Sequence, residues 1–199
     1  MEIGSNLMVR TIHQKGETRK LRIIPRTLDS PMVKDGLEAV SLLNNIEPYF
    51  VVGGIATQSY IPTSCRRETS DIDLCLVRPL NYRTFKDMVK PLIEYLQDLK
   101  YGVNTQKGKT FGLEYTSIEG DSILIEAPKR NEHNVEKNRA ILEREFEHCK
   151  EKIIEERSKT YRVISPEDIV TPKLVRVINS LKRKPHLGGY FPVRVESLS

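Results

Sequence analysis

An α+β (mixed α/β) fold, with helices flanking a small mixed or antiparallel sheet, is what this 199-residue sequence predicts. Three observations lead there. Short β-branched and aromatic runs, YFVV and DIDLCLV among them, alternate with segments whose apolar residues recur every three to four positions. Two further runs, FGLEYTSI and SILIEAP, are joined by the turn-forming Glu119-Gly120-Asp121 and read as an antiparallel pair. The hydrophobic content of 38% is enough to build a core, which argues against disorder along the whole length.

The elements follow in order. Residues 7–12 and 20–24 are β-like runs around HQKGET, a hairpin pattern. Leu37, Val40 and Leu43 carry a helical stripe over 35–46. Tyr49–Val52 reads as a strand, Gly53-Gly54 as a turn, 55–60 as a short helix and Asp71–Val77 as the next strand. Phe85, Val89, Leu92, Leu96 and Leu99 mark a helix over 83–99 that Pro91, lacking an N–H, should kink or divide. After the antiparallel pair, a charged helix is expected over 134–157 with Leu142, Phe146, Cys149 and Ile153 buried. A short YRVI strand follows. Ser165-Pro166-Glu167-Asp168 then has the order of a helix start: serine cap, proline in the first turn, early acids. Thr171-Pro172 repeats that signal, so the last helix is expected to restart there, with Leu174, Ile178 and Leu181 inward and Lys173, Arg176 and Lys184 outward.

Charge divides the chain. Residues 1–34 carry a net +4, 35–168 a net −4 and 169–199 a net +5. Basic ends can collect a polyanion such as RNA or simply form a solvated lysine-rich surface. The segment 1–34 is expected as a basic arm or hairpin, 35–184 as the main domain and 185–199 as an irregular tail. No apolar run reaches the ~18 residues of a membrane span, and MEIGSNLMVR lacks the apolar stretch of a secretory signal. Three widely spaced cysteines suit neither a disulfide framework nor a CxxC site, so a reducing cytoplasm is the expected location.

The most informative stretch is VVGGIATQSYIPTSCRRETSDIDL, residues 51–74. Side chains alternate along a strand, so Asp71 and Asp73 project together while Ile72 and Leu74 enter a core. Adjacent carboxylates repel each other and favour a hard divalent cation. A glycine turn beside them lets a phosphate approach the main chain. Each feature also has a plain structural reading. Edge-strand aspartates can be solvated, Gly53-Gly54 can be an ordinary turn, Arg67 can pair with Glu68 or Asp71, and Lys173 can be a surface lysine. His133 and His148 have no Cys or His partner at zinc-ligand spacing, and Cys65 has no histidine to activate it.

The glycine pair, the Arg-x-Thr-x-Asp lead-in and the Asp-x-Asp strand resemble the nucleotidyltransferase superfamily that shares its fold with DNA polymerase beta. GGIATQSY and RRETSDIDL look most like AbiEii-type toxins of type IV toxin–antitoxin systems and related minimal nucleotidyltransferases. A second block, VISPEDIVTPKLVRV, resembles the family's late helix, in which a lysine followed by leucine reaches the nucleotide. The two blocks cover about forty residues of the sequence.

The resemblance implies Mg²⁺, with Mn²⁺ as an alternative, held by Asp71, Asp73 and Glu126. It implies an NTP contacted by Gly53, Gly54, Arg67, Thr69 and Lys173, with Lys173 also counted among the catalytic residues. The reaction implied is transfer of NMP to an acceptor hydroxyl on RNA, tRNA included, or on protein, and a protein antitoxin is an implied partner. Three departures stand in the sequence. Gly54 replaces the serine usual in polymerase-like members, Glu126 stands where an aspartate is common, and the extension after the lysine is reduced to LKRKPHLGGY. Asp121 competes with Glu126 as third acid. Two other readings remain: a nucleotide- or RNA-binding protein of the same fold without turnover, and a toxin–antitoxin component that binds protein through the helix near 134–157.

Overall fold

The structure is a computed structural model and describes residues 8–14, 17–23 and 26–183. Its strands are β1 (Met8–Gln14), β2 (Glu17–Ile23), β3 (Tyr49–Val52), β4 (Asp71–Leu76), β5 (Gly102–Lys107), β6 (Thr110–Thr116), β7 (Asp121–Pro128), β8 (Lys150–Ile153) and β9 (Thr160–Val163). The helices are α1 (Pro31–Ser41), α2 (Gly53–Gln58), α3 (Tyr82–Met88), α4 (Lys90–Asp98), α5 (Glu132–His148) and α6 (Pro166–Arg183), with a 3₁₀ turn at Thr63–Cys65. Seven strands run in the spatial order β5-β6-β7-β4-β3-β9-β8, and the β1–β2 hairpin joins in parallel at the start of β7. The sheet is mixed: β4–β7 and β3–β9 are parallel, while β3–β4, β5–β6, β6–β7 and β8–β9 are antiparallel. This is the mixed α/β architecture the alternating runs predict.

One face of the sheet forms the core. Ile72, Leu74 and Leu76 of β4 meet Ile123, Ile125 and Ala127 of β7, and α1 covers them with Val33, Leu37 and Val40. Its neighbour α4 adds Leu92 and Leu96. Alternation of buried and part-exposed residues holds over Asp71–Leu74 and aims the aspartates, while Cys75 beyond them is buried.

Local chemistry sets several boundaries. Asn81 and Asn131 cap α3 and α5 by accepting from the amides of Thr84 (3.0 Å) and Asn134 (2.8 Å). Pro91 lies in the first turn of α4, so the expected single helix is indeed two. Ser165 caps α6, accepting from the Asp168 amide at 3.2 Å and donating to its carboxylate at 2.9 Å.

Other expectations are corrected. The first helix begins at Pro31 and ends at Ser41, not 35–46, although Leu43 is still buried in the turn beyond it. Leu99 is 40% exposed at the end of α4, outside the buried stripe. The helix expected to reach 157 stops at His148, and Lys150–Ile153 pairs with β9 instead. Ile153 is consequently 73% exposed rather than buried. Pro172 does not restart the last helix but lies within the continuous α6. Leu174 and Ile178, expected inward, are about half exposed. The side chains of Leu181 and Arg176, and all of 184–199, lie outside the described residues, as do 1–7. Strand β5 had no counterpart in the sequence reading. Among the described residues no helix is long and apolar enough to cross a membrane.

Candidate metal centre

Strand alternation sends Asp71 and Asp73 to the sheet face opposite the core, and the parallel register places Glu126 directly beside Asp73. One carboxylate oxygen from each of the three lies within 4.8 Å of the others, and all three residues are half-buried. Like charges this close are costly. Burial first, then the charges of Asp71 and Glu126, push Asp73 from its ordinary 3.8 up to about 6. Three hard oxygens in mutual repulsion on a partly open face fit a Mg²⁺- or Mn²⁺-sized cation, which would relieve that repulsion. Asp121 does not join them: its carboxylate pairs with Arg26. Of the two acids weighed for the third position, Glu126 is the one beside the aspartates.

The glycine turn is built against this cluster. Strand β3 runs antiparallel to β4 with Val52 opposite Asp73, so Gly53 emerges at the carboxylate. Gly53 has φ +71°, and a Cβ there would overlap Asp73 Oδ2. At Gly54 a Cβ would approach Thr69 Oγ1 to 2.8 Å. Thr69 in turn donates to Asp71 Oδ1 at 2.9 Å. The two glycines therefore leave bare main chain beside the acids.

A second layer of bonds seats the approach to β4. Arg26 and Thr69 exchange both backbone hydrogen bonds at 2.8 Å. Gln58, 2% exposed, donates to the Arg67 carbonyl and accepts from the Leu28 amide, each at 2.7 Å. Arg66 pairs with Asp29. Sequence reasoning passed over Gln58 and Arg26. The signal for Gln58 was available: an amide three residues after buried Ile55, on the apolar face of a short helix. Arg26 had no comparable signal, because its contacts cross from one segment to another.

Asp71, Asp73, Glu126, Gly53, Gly54 and Thr69 are thus brought together. Arg67 and Lys173 are not part of the carboxylate cluster. Arg67 is exposed on the segment that Gln58 ties to α2, and Lys173 is exposed on α6, which packs against α2.

No family model matches this chain, and no curated protein matches it. Among solved structures, it is similar to an antigenic nucleotidyltransferase-like protein from Paracoccidioides brasiliensis, with 18% identity and a TM-score of 0.46 over 76% of this chain and 68% of that one. It is also similar to terminal uridylyl transferase 4 from Trypanosoma brucei. With bound UPU that structure gives 15% identity and a TM-score of 0.31, covering 57% of this chain and 38% of the other. With bound GTP the TM-score is 0.30 at 15% identity, over 56% and 37%. Overlaps this distant carry no activity to the present chain.

Proposed function

We propose that this chain is a nucleotidyltransferase that moves NMP from an NTP to an acceptor hydroxyl. The observation that carries this reading is the convergence of Asp71, Asp73 and Glu126 beside the bare main chain of Gly53-Gly54. Asp71, Asp73 and Glu126 would hold Mg²⁺ or Mn²⁺, which when bound supplies Lewis-acid stabilisation of charge on the reacting phosphate.

The chain's own residues divide the remaining work. Gly53 and Gly54 make room for phosphate oxygens against the backbone, beside Asp73 and Thr69. Lys173 and Arg67 belong to segments attached to α2, which suits them to neutralise the triphosphate and the departing pyrophosphate. Glu126 lies on β7, on the side of β4 away from the glycine turn. In-line displacement brings the acceptor from the side opposite the leaving group. The acceptor O–H therefore approaches on the Glu126 side. Its oxygen bonds to the α-phosphorus as the bond to the bridging oxygen breaks, pyrophosphate departs, and Glu126 accepts the proton. RNA, tRNA included, is the acceptor class we favour, because both chain ends are basic. The motif resemblance supports a toxin-like role in a type IV toxin–antitoxin pair.

Incubation with each labelled NTP, Mg²⁺ or Mn²⁺, and total RNA tests the reading. The expected result is label on RNA that falls by about 10³-fold or more in Asp73→Asn and Glu126→Gln, as for groups acting together in one transition state. Transfer unchanged in Asp73→Asn overturns the assignment, and nucleotide binding without transfer identifies a binding protein. Lys173→Ala should raise the NTP concentration needed by about tenfold, the loss of one charge-assisted contact. An unchanged requirement returns that lysine to the surface.

A further inference from the structure

Three lysines from three parts of the chain converge on one pair of aromatic rings. Lys86 of α3 and Lys107 at the end of β5 each hold their ammonium 5.6 Å from the centre of the Tyr82 ring. Lys129, just beyond β7, lies 5.6 Å from the centre of Phe111, and the two rings are themselves 5.6 Å apart. All three lysines are exposed, and none forms an ion pair with a described residue. Asp87, which follows Lys86, is engaged by Lys90 at 2.9 Å. Glu114 and Glu126 alternate to the other face of the sheet from Phe111. Lys109, in the β5–β6 turn, adds a fourth exposed charge. Cation–π contacts at exposed sites are weak, so these ammonium groups stay available, and like charges gathered without acids favour a polyanion.

The surface is fixed relative to the carboxylates. Strands β5, β6 and β7 all lie on the Glu126 side of β4, the side from which the acceptor comes. Lys129 follows Glu126 by three residues, about 10 Å of extended chain. Leu80 and Arg130 exchange main-chain hydrogen bonds at 2.8 and 3.3 Å, which pins the segment carrying Lys129 to the lead-in of α3. The Tyr82 hydroxyl meets that of Thr105 on β5 at 3.2 Å, which ties α3 to the strand of Lys107. Arg130 itself donates to Cys75 Sγ at 3.2 Å, two residues past Asp73, so positive charge continues from the lysines to the strand of the aspartates. Cations spread over two rings, rather than closed around one point, suit the repeated phosphates of a strand better than one small anion.

We propose that Lys86, Lys107 and Lys129 hold the phosphate backbone of a single-stranded RNA segment that leads past the end of β7 to the reacting hydroxyl at Glu126. The assignment of that RNA as acceptor rests on the nucleotidyl-transfer reading, but its binding is measured without transfer.

Fluorescence anisotropy of the full chain with a labelled single-stranded RNA of about 12 nucleotides, in EDTA and from about 50 to about 200 mM salt, tests the proposal. Changing Lys86, Lys107 and Lys129 together to Gln should weaken binding and lower the slope of log affinity against log salt by about 2, the loss of three single-strand phosphate contacts. The same change at Lys100, Lys137 and Lys159, exposed lysines elsewhere on the surface, removes equal charge and should leave the slope near that of wild type. Asp73→Asn should bind the RNA at least as tightly as wild type. Equal slopes for the two triple variants overturn the proposal, as does a wild type that does not bind the RNA at about 50 mM salt. If the first triple variant loses its slope while no NTP labels RNA in the presence of Mg²⁺, the surface stands and the nucleotidyl-transfer reading fails. If RNA is labelled and the first triple variant needs no more RNA than the second, the surface fails alone.

Discussion

Gly53 is the residue on which the geometry of the centre turns. Its φ of +71° costs a side-chain-bearing residue about 1–2 kcal/mol, and the place a Cβ would take is already held by the Asp73 carboxylate. Gly53→Ala therefore has to move either the turn or the carboxylate. Gly54 differs: its backbone is not in the left-handed region, and the intruding atom is a Thr69 hydroxyl on a side chain that can rotate. We expect Gly53→Ala to lower stability by about 2 kcal/mol or more and to weaken Mg²⁺ binding at least tenfold. Gly54→Ala should cost less than about 1 kcal/mol. Urea midpoints and Mg²⁺-dependent melting shifts of both variants check this. Equal effects would mean the positive φ and the Asp73 contact are not what distinguishes the two glycines.

At the scale of elements, α1 shows how a helix is locked onto the sheet. Tyr115 donates to the Met32 carbonyl at 2.8 Å, and a Cβ at Gly36 would overlap that hydroxyl and press Ile72 Cδ1 at 2.8 Å. A mid-helix glycine, about 1 kcal/mol worse than alanine, is what permits this close approach. On the other side Arg157, from the turn after β8, donates to Asp35 at 2.5 Å and Glu38 at 2.8 Å, and Tyr101 donates to Asp35 at 2.6 Å. Asp35 is only 9% exposed, so removing its cation leaves a nearly buried charge without its ion pair. Arg157→Met should cost about 2–3 kcal/mol, at the low end for a broken buried pair because the arginine is part-exposed. Asp35→Asn in the same chain should return part of it. Urea unfolding measures both, and a single-variant cost below about 0.5 kcal/mol would place the clamp among ordinary surface pairs. The α3–α4 break was legible because proline acts locally. Strand β8 was not: CKEKII carries good helix formers and no Gly or Pro, and only pairing with β9 makes it a strand. Strand β5, GVNTQK, has one apolar residue and takes its order from the β6 ladder. The α6 stripe was visible as a stripe, but periodicity shows that a face is apolar and not which surface covers it.

Across the whole molecule, the centre depends on a pairing between segments some fifty residues apart. The Asp-x-Asp alternation is local and was readable. Glu126 was suggested as the third acid by the resemblance and by SILIE ending in an acid, but its convergence follows from the parallel β4–β7 register, which no spacing in the sequence selects. The strap of Arg26, Gln58 and Thr69 is a set of long-range contacts and had to be seen. Assembling the acids this way has a global energetic consequence. Asp73 is raised from 3.8 to about 6, by burial first and then by Asp71 and Glu126. The folded chain thus binds this proton more tightly than the unfolded chain does. Stability contributed here must rise as pH falls from about 6 to about 4, and the penalty is fully present above 6. The shift corresponds to at most about 3 kcal/mol, which solvent screening at a partly open site reduces to about 1–2 kcal/mol. Other carboxylates titrate over the same range, so the informative quantity is wild type minus Asp73→Asn. Without divalent cation, wild type should be the less stable of the two at pH 7.5, and the gap should narrow by about 1–2 kcal/mol between pH 6.5 and 4.5. Adding Mg²⁺ at pH 7.5 should stabilise wild type but not Asp73→Asn, since only the wild-type set of charges is complete. Chemical denaturation at each pH, with EDTA or Mg²⁺, measures all four conditions. A gap independent of pH, or equal Mg²⁺ stabilisation of both proteins, would mean that the three carboxylates do not share one electrostatic site.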